Sequence, residues 1–487
     1  MSGFQALLPQ GLPADQVLAQ LSELRGIDLP THGGTLFAYV YDAGVAGLDD
    51  LAAAAYARSA QVNGLDPTAF PSLLVMENAL VGAAASLLGG GPSGVPTVVG
   101  NVTSGGTESL LLAVKAARDA RPDVRDPAVV VPTTAHAAFA KAADYLRLRL
   151  VPVPVSPETL RPSASSVAAA IDQSTVLVAC SAPSYAHGVI DPVTEIAAVA
   201  AENGVRCHVD ACFGGWVLPY LRRLGQPVPA FDFSVPGVTS LSVDLHKYAY
   251  CPKGTSILLH RDEGLRQPQY FAYADWPGYI MVNSTVASTR SGGPIAAAYA
   301  TTRYLGDDGY LRLASSTLDA VRGIADAVSD VEGLRLFPVE STVVAFASDD
   351  LTVDPFVLID ELAVRGWHAQ AQLAYAGLPR SVHLTVTAAV APRIAEFRTV
   401  LREAVDAART AGPVQVPGEL LAIVANLTPA QFSPSLVDSL SAALGLGGVS
   451  PLPVRRALIN ALVEATPVPV REAMFAGFLS SLQRPMY

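Results

Sequence analysis

Apolar residues in this chain fall into short runs and helical stripes that alternate from about residue 95 to residue 260. Val98 to Thr103, Ala128 to Val131, Leu148 to Val155, Val176 to Cys180, Arg206 to Asp210, Val238 to Val243 and Ile257 to His260 read as strands. Residues 109–121, the stretch opened by Thr133 to Phe139, 165–171 and 196–203 read as helices. The alternation predicts an α/β fold with a large, mostly parallel sheet covered on both faces. Ligands of such sheets bind beyond the carboxyl ends of the strands.

Outside that core the pattern is coarser. A short amphipathic helix is predicted over 15–24, an extended segment over 35–41, an Ala-rich helix over 51–61 and another helix over 71–88. In an extended segment Tyr39 and Tyr41 would face the same side. Residues 270–276 read as an aromatic loop, followed by helices to about 305 and from 309 to 328. A smaller α+β unit follows, with strands at 334–337, 342–347 and 381–387, a helix over 356–365 and a long amphipathic helix over 394–410. Gly412 to Gly418 marks a boundary, and short helices broken by Pro429, Pro434, Pro451, Pro453, Pro467 and Pro469 finish the chain. The expected division is an N-terminal segment 1–55, a large domain 56–308, a small C-terminal domain 309–411 and a helical extension 412–487.

With 487 residues, 51% hydrophobic and 15% charged, the chain can bury a large core and is not a disordered protein. No apolar run is long enough to span a bilayer; Val81 to Thr107 is uncharged but interrupted by Gly and Pro. The net charge of -11 opposes binding to nucleic acid. Cys180, Cys207, Cys212 and Cys251 form no CxxC pair, so free buried thiols are expected and a zinc site is not. Met1 to Gln5 shows no secretory pattern. A cytoplasmic location is the expectation.

The chemistry concentrates where apolar runs end. Ser242-Val243-Asp244-Leu245-His246-Lys247-Tyr248 carries a lysine just past a strand. Such an amine forms a Schiff base with an aldehyde cofactor when burial and neighbouring charges lower its pKa. A lone loop lysine is ordinarily a surface residue, but here Asp210 ends another apolar run. A strand-end carboxylate for a pyridinium nitrogen and a strand-end amine for an aldehyde are the two groups a pyridoxal-phosphate site needs. Ser104-Gly105-Gly106-Thr107 opens a helix whose free N–H groups suit an anion, although the same residues also make an ordinary helix cap. His136 could stack on an aromatic ring or merely start a helix. Ser181 opens the strand-end loop that runs through Tyr185 to Gly188.

Taken together, Thr103 to Ser109, Ala135 to Phe139, His187 to Pro192, His208 to Cys212, Asp244 to Tyr248 and Pro252-Lys253-Gly254 resemble the sphingosine-1-phosphate lyases. That family is close to the group II pyridoxal-phosphate decarboxylases and has the aspartate-aminotransferase-like fold (fold type I). The likeness runs from about residue 35 to 410. It implies that Lys247 carries pyridoxal 5'-phosphate, Asp210 pairs with its ring nitrogen and His136 stacks on the ring. Gly105, Gly106, Thr107 and His246, with Ser181 as a further cofactor candidate, would hold the rest of it. Lys253 and Tyr185 resemble proton-transfer residues, and Tyr41 resembles one reaching in from the N-terminal segment. Gly254, Thr255 and the 288–293 loop resemble elements shared across a homodimer. Arg290 and Asn63 resemble substrate-binding positions, and Asp66 stands where the family often has a phosphate-binding His. The activity implied is retro-aldol cleavage of a phosphorylated sphingoid base to a fatty aldehyde and phosphoethanolamine. An amino-acid decarboxylase is the alternative, and a catalytically inert scaffold of the same fold a third reading.

Overall fold

A computed structural model describes residues 7–432, 436, 438, 439 and 453–485. Pro434, Pro451 and the Met1–Gln5 segment considered above lie outside the described residues. Three helices come first, α1 (Ala14–Arg25), α2 (Leu48–Ser59) and α3 (Pro71–Leu87). The large sheet and its helices follow in the order β1 (Val99–Thr103), α4 (Gly106–Asp119), β2 (Ala128–Pro132), α5 (Ala138–Leu146), β3 (Arg149–Val153) and α6 (Ala164–Ala170). Next come β4 (Thr175–Ser181), α7 (Val193–Glu202), β5 (Arg206–Asp210), α8 (Leu218–Arg223), β6 (Ser240–Asp244) and β7 (Ser256–His260). The strand order is β1-β7-β6-β5-β4-β2-β3.

The pairings among β3, β2, β4, β5 and β6 are parallel, and β7 runs antiparallel between β6 and β1. β2, β4, β6 and β7 are buried along their whole length, which explains their near-continuous apolar runs. All the parallel strands point their carboxyl ends the same way. Asp210 is the last residue of β5 and Asp244 the last of the neighbouring β6, with Asp210 in register with Ser242.

After α9 (Glu263–Arg266), β8 (Phe271–Tyr273) and β9 (Met281–Asn283) form a hairpin where the sequence reads as an aromatic loop. Its strands are three residues long and largely exposed, so no alternation with a core betrays them. α10 (Gly292–Ser329) is one element where two helices are expected; Gly306, at φ 59°, kinks it without ending it. The small sheet is β10 (Leu334–Leu336), β11 (Val343–Ser348), β13 (Ser381–Thr385) and β12 (Gln370–Gln372), all antiparallel and packed with α11 (Pro355–Val364) and α12 (Ile394–Ala411). β12 escapes sequence reading because Gln-Ala-Gln carries no strand signal.

The extended segment over 35–41 is not regular. Leu36 makes a single bridge to His368, and Tyr39 turns at φ 67°. Tyr39 is therefore exposed while Tyr41 points inward against Phe213 and Tyr248, so the two do not share a side. The four cysteines are free and buried.

The C-terminal helix Ala457–Ala465 docks on the small domain through Ala457 and Ala461, which join its core, and through charge. The Asp360 carboxylate accepts the N–H groups of Arg456 (2.7 Å) and Ala457 (2.9 Å), capping a helix from another element. Glu464 accepts the Ala374 N–H (2.7 Å) and pairs with Arg380 (2.6 Å).

Candidate active site

A cavity of about 420 Å³ opens at the carboxyl end of the large sheet. Ser104, Gly105, Gly106, Thr107, His136, Ser181, Tyr185, Asp210, His246 and Lys247 all line it. The five polar clusters that follow apolar runs thus converge on one space, because parallel strands deliver their following loops to one edge.

Lys247 follows the turn after β6, and its Nζ lies 2.9 Å from Asp244 Oδ2. Burial alone would lower the ammonium's pKa, but Asp244, with Tyr41 and Cys212, outweighs it and the net shift is upward. The expectation of a lowered lysine pKa is therefore corrected: it left out Asp244. That carboxylate is in turn held below the usual range; burial opposes this, but Lys247 and His246 prevail. His246 donates Nδ1–H to the Thr255 carbonyl (2.9 Å), and burial lowers its pKa, so its ring is neutral at physiological pH.

Asp210 accepts the Cys212 N–H (3.1 Å) and the Ser242 hydroxyl (3.4 Å). Behind Ser242, the buried His208 bridges Ser240 (2.8 Å) and Ser242 (3.2 Å), its pKa pushed down by burial to about 3. These partners fix the carboxylate in place. His136 Nδ1 accepts the Ala138 N–H (3.1 Å), which anchors its ring at the helix start.

Phe213 forms the hub of the aromatic wall. Tyr41 and Tyr185 meet it edge-on at 6.1 and 6.2 Å, and Lys247 Nζ lies 5.8 Å from its ring centre. Lys253 Nζ sits 5.1 Å from the centre of the Tyr41 ring. Burial, then the charge on Lys247, brings Lys253 down to about 8, whereas burial pushes both Tyr41 and Tyr185 up. The Tyr185 hydroxyl donates to Gln370 Oε1 (2.5 Å), so the small domain reaches the site through β12. Sequence reasoning missed Asp244, Phe213 and Gln370. Only Asp244, a strand-end acid three residues before the lysine, gave a readable signal.

Gly254 adopts φ 104°, a conformation glycine favours, and turns the chain back into β7. Thr255 is fully buried, and its backbone carbonyl holds His246. Asn63 and Arg290 line a separate cavity of about 330 Å³. There Arg290 donates to both Glu77 oxygens (3.2 and 2.9 Å) and to the Val102 carbonyl (2.8 Å). Asp66 lies on the surface, where its carboxylate accepts the Thr68 N–H (2.8 Å) and hydroxyl (2.6 Å).

The donor set fits pyridoxal 5'-phosphate. A Cβ on Gly106 would come within 2.8 Å of Cys212 Sγ and 3.0 Å of the Asp244 carboxylate, so the α4 N-terminus is packed as only glycine permits. The buried Asp244 Oδ1 has no hydrogen-bond partner among the described residues. An amine, two strand-end carboxylates and a helix N-terminus around one cavity define the class: a pyridoxal-phosphate enzyme of the aspartate-aminotransferase-like fold.

The pyridoxal-dependent decarboxylase conserved domain matches residues 31–344, and a C-terminal domain of pyridoxal-dependent enzymes, described as HTH, matches 418–481. The sphingosine-1-phosphate lyase of Dictyostelium discoideum is 39% identical over 69% of this chain and 61% of its own length. Sphingosine-1-phosphate lyase 1 of Rattus norvegicus is 34% identical over 90% of this chain and 77% of its own length. Among solved structures, the Burkholderia pseudomallei sphingosine-1-phosphate lyase superposes with a TM-score of 0.76 at 34% identity, covering 84% of this chain and 94% of that one. The chain spans 61% and 66% of the lyases from D. discoideum and Arabidopsis thaliana. It belongs to the pyridoxal-dependent decarboxylase family, and within it to the sphingosine-1-phosphate lyases.

Proposed function

We propose that the protein is a carbon–carbon lyase that cleaves phosphorylated long-chain amino alcohols of the sphingosine 1-phosphate type into a fatty aldehyde and phosphoethanolamine. The observation that carries this reading is the gathering of Lys253, Tyr41 and Tyr185 around Lys247, in a chain whose relatives are sphingosine-1-phosphate lyases. Bound pyridoxal 5'-phosphate supplies the electron sink for the carbanion left when the carbon–carbon bond breaks. Lys247 would hold the aldehyde end, Asp210 would pair with the ring nitrogen and His136 would face the ring. Gly105, Gly106 and Thr107 at the α4 N-terminus, with His246 and Ser181, would hold the phosphate end.

Lys253 takes the proton from the substrate hydroxyl. With a pKa of about 8 it can be neutral near physiological pH, while Tyr41 and Tyr185 stay protonated and serve as donors. Phe213 and the tyrosines keep water from the reacting bond.

In this reading the enzyme is a cytoplasmic homodimer with shared sites, to which Gly254 and the 288–293 loop contribute across the interface. Support for a partner copy comes from exposed apolar surface: α1 buries no residue yet carries Leu18, Leu21 and Leu24, and the β8–β9 hairpin exposes Phe271, Tyr273 and Val282. Free buried thiols suit a reducing compartment, and no helix among the described residues is long and apolar enough to cross a membrane. The test is product identity. Holoenzyme given a phosphorylated sphingoid base should release a fatty aldehyde and phosphoethanolamine. Carbon dioxide and an amine, released only from amino acids, would overturn the lyase in favour of a decarboxylase. The Arg290–Glu77 pairing favours that second reading, since it neutralises the candidate phosphate ligand.

A further inference from the structure

Between the large and small domains lies a third cavity, of about 360 Å³, that the chemistry described so far leaves unused. His136 and Tyr185 line both it and the cofactor cavity, so the two adjoin across those side chains. Its walls are mainly apolar: Ala137 from the start of α5, and Leu373, Leu378 and Pro379 from the segment joining β12 to β13. Three buried polar atoms of lining residues have no hydrogen-bond partner among the described residues, Thr134 Oγ1, His187 Nδ1 and Ser381 Oγ. His187 and Ser381 are 5% and 1% exposed. Burial holds His187 neutral, with a pKa lowered to about 4, so it offers a hydrogen bond and no charge.

A cavity of this size, mostly apolar with a few polar groups left open, is built for a small ligand of the same character. A charged headgroup is disfavoured, because nothing on the lining named above carries a charge to meet it. We propose that this interdomain cavity is the subsite for the aliphatic chain of the substrate, seated against Leu373, Leu378 and Pro379. The inference rests on the proposed function, and it adds where the chain goes. The roof is held from outside: the Ala374 N–H and Arg380 on the same segment both bind Glu464 of the C-terminal extension. The fit of the chain therefore depends on an element far from the reacting bond. Leu378 is 8% exposed and Tyr375, on the outer side of the roof, 58% exposed, so one can fill the subsite and the other can open it.

The test uses calorimetric binding to holoenzyme of two phosphorylated amino alcohols that lack the hydroxyl beside the amine-bearing carbon, one with an eighteen-carbon chain and one with a four-carbon chain. Neither can be cleaved by the retro-aldol route, so the result does not depend on turnover. Leu378→Trp should cut the preference for the long chain by about tenfold or more, since burial of several methylenes is lost. The short-chain Kd should stay within about twofold, because that ligand does not reach the cavity. Tyr375→Ala, which leaves the core intact, should weaken the long chain alone by about threefold. Equal losses for both ligands in Leu378→Trp, or an unchanged preference in both variants, would overturn the subsite. If the long-chain preference falls as described but no aldehyde is ever released, the subsite stands and the proposed reaction falls.

Discussion

In the cavity at the strand ends, Asp210 is held by a backbone N–H and a serine hydroxyl, and Lys247 by one carboxylate that keeps a free oxygen. In the cavity beside it, Arg290 donates to both oxygens of Glu77 and to a backbone carbonyl, so charge and donors are spent within the fold. Both regions contain a buried acid near a base. The first leaves bonding capacity facing a space of ligand size, and the second closes the account on itself. Charged residues in a pocket thus mark a reactive site only where their partners leave something unsatisfied.

Five substitutions sharpen that contrast, and the largest effect falls on the unsatisfied side. Lys247→Ala should lower turnover by about 10⁴-fold or more, the loss typical of removing a covalent anchor. Asp210→Asn should cost about 10³-fold in kcat, as for loss of a preorganised charge in a dry site, with the fold intact by circular dichroism.

On the satisfied side the loss should appear in stability. Glu77→Ala leaves Arg290 partly buried without its partner and should lower unfolding free energy by about 3 kcal/mol in urea titration. A loss of activity without that destabilisation would make Arg290 a ligand and erase the contrast.

Lys253→Gln should cost about 10²-fold and also change the pH profile. Since the Lys253 pKa is lowered to about 8, the amine becomes neutral, and able to accept a proton, as pH rises through that value. The wild-type kcat/KM should therefore rise toward pH 8, and the variant should lack that limb. The smallest effect is expected far from either cavity. Asp360→Ala removes the cap on helix Ala457–Ala465 and should cost about 1 kcal/mol, read as earlier proteolysis of the C-terminal extension.

Much of the site was legible because strand-end residues are marked twice in the chain. Asp210 closes an apolar run and Lys247 follows the turn just past another, and a parallel sheet sends such ends to one edge. Gly106 was legible as the opening of α4, though its contact with Cys212 and Asp244 is tertiary and was not. Phe213 and Gln370 stayed hidden, since an aromatic hub and a single glutamine acquire meaning only from residues far away in sequence. Tyr39 shows the converse failure: an apparent alternation with Tyr41 dissolved at one positive φ. Asn63, Asp66 and Arg290 lie outside the cofactor cavity, a separation that no periodicity encodes.

Only four lysines occur in the chain: Lys115, Lys141, Lys247 and Lys253. Lys115 is paired with Asp119, and Lys141 lies over Tyr145 on the far end of α5. Borohydride reduction of the holoenzyme followed by peptide mass spectrometry therefore has four possible answers. A pyridoxyl adduct on Lys247, lost in Lys247→Ala, is the result predicted here. An adduct on Lys253 or another lysine, or none at all, would contradict it.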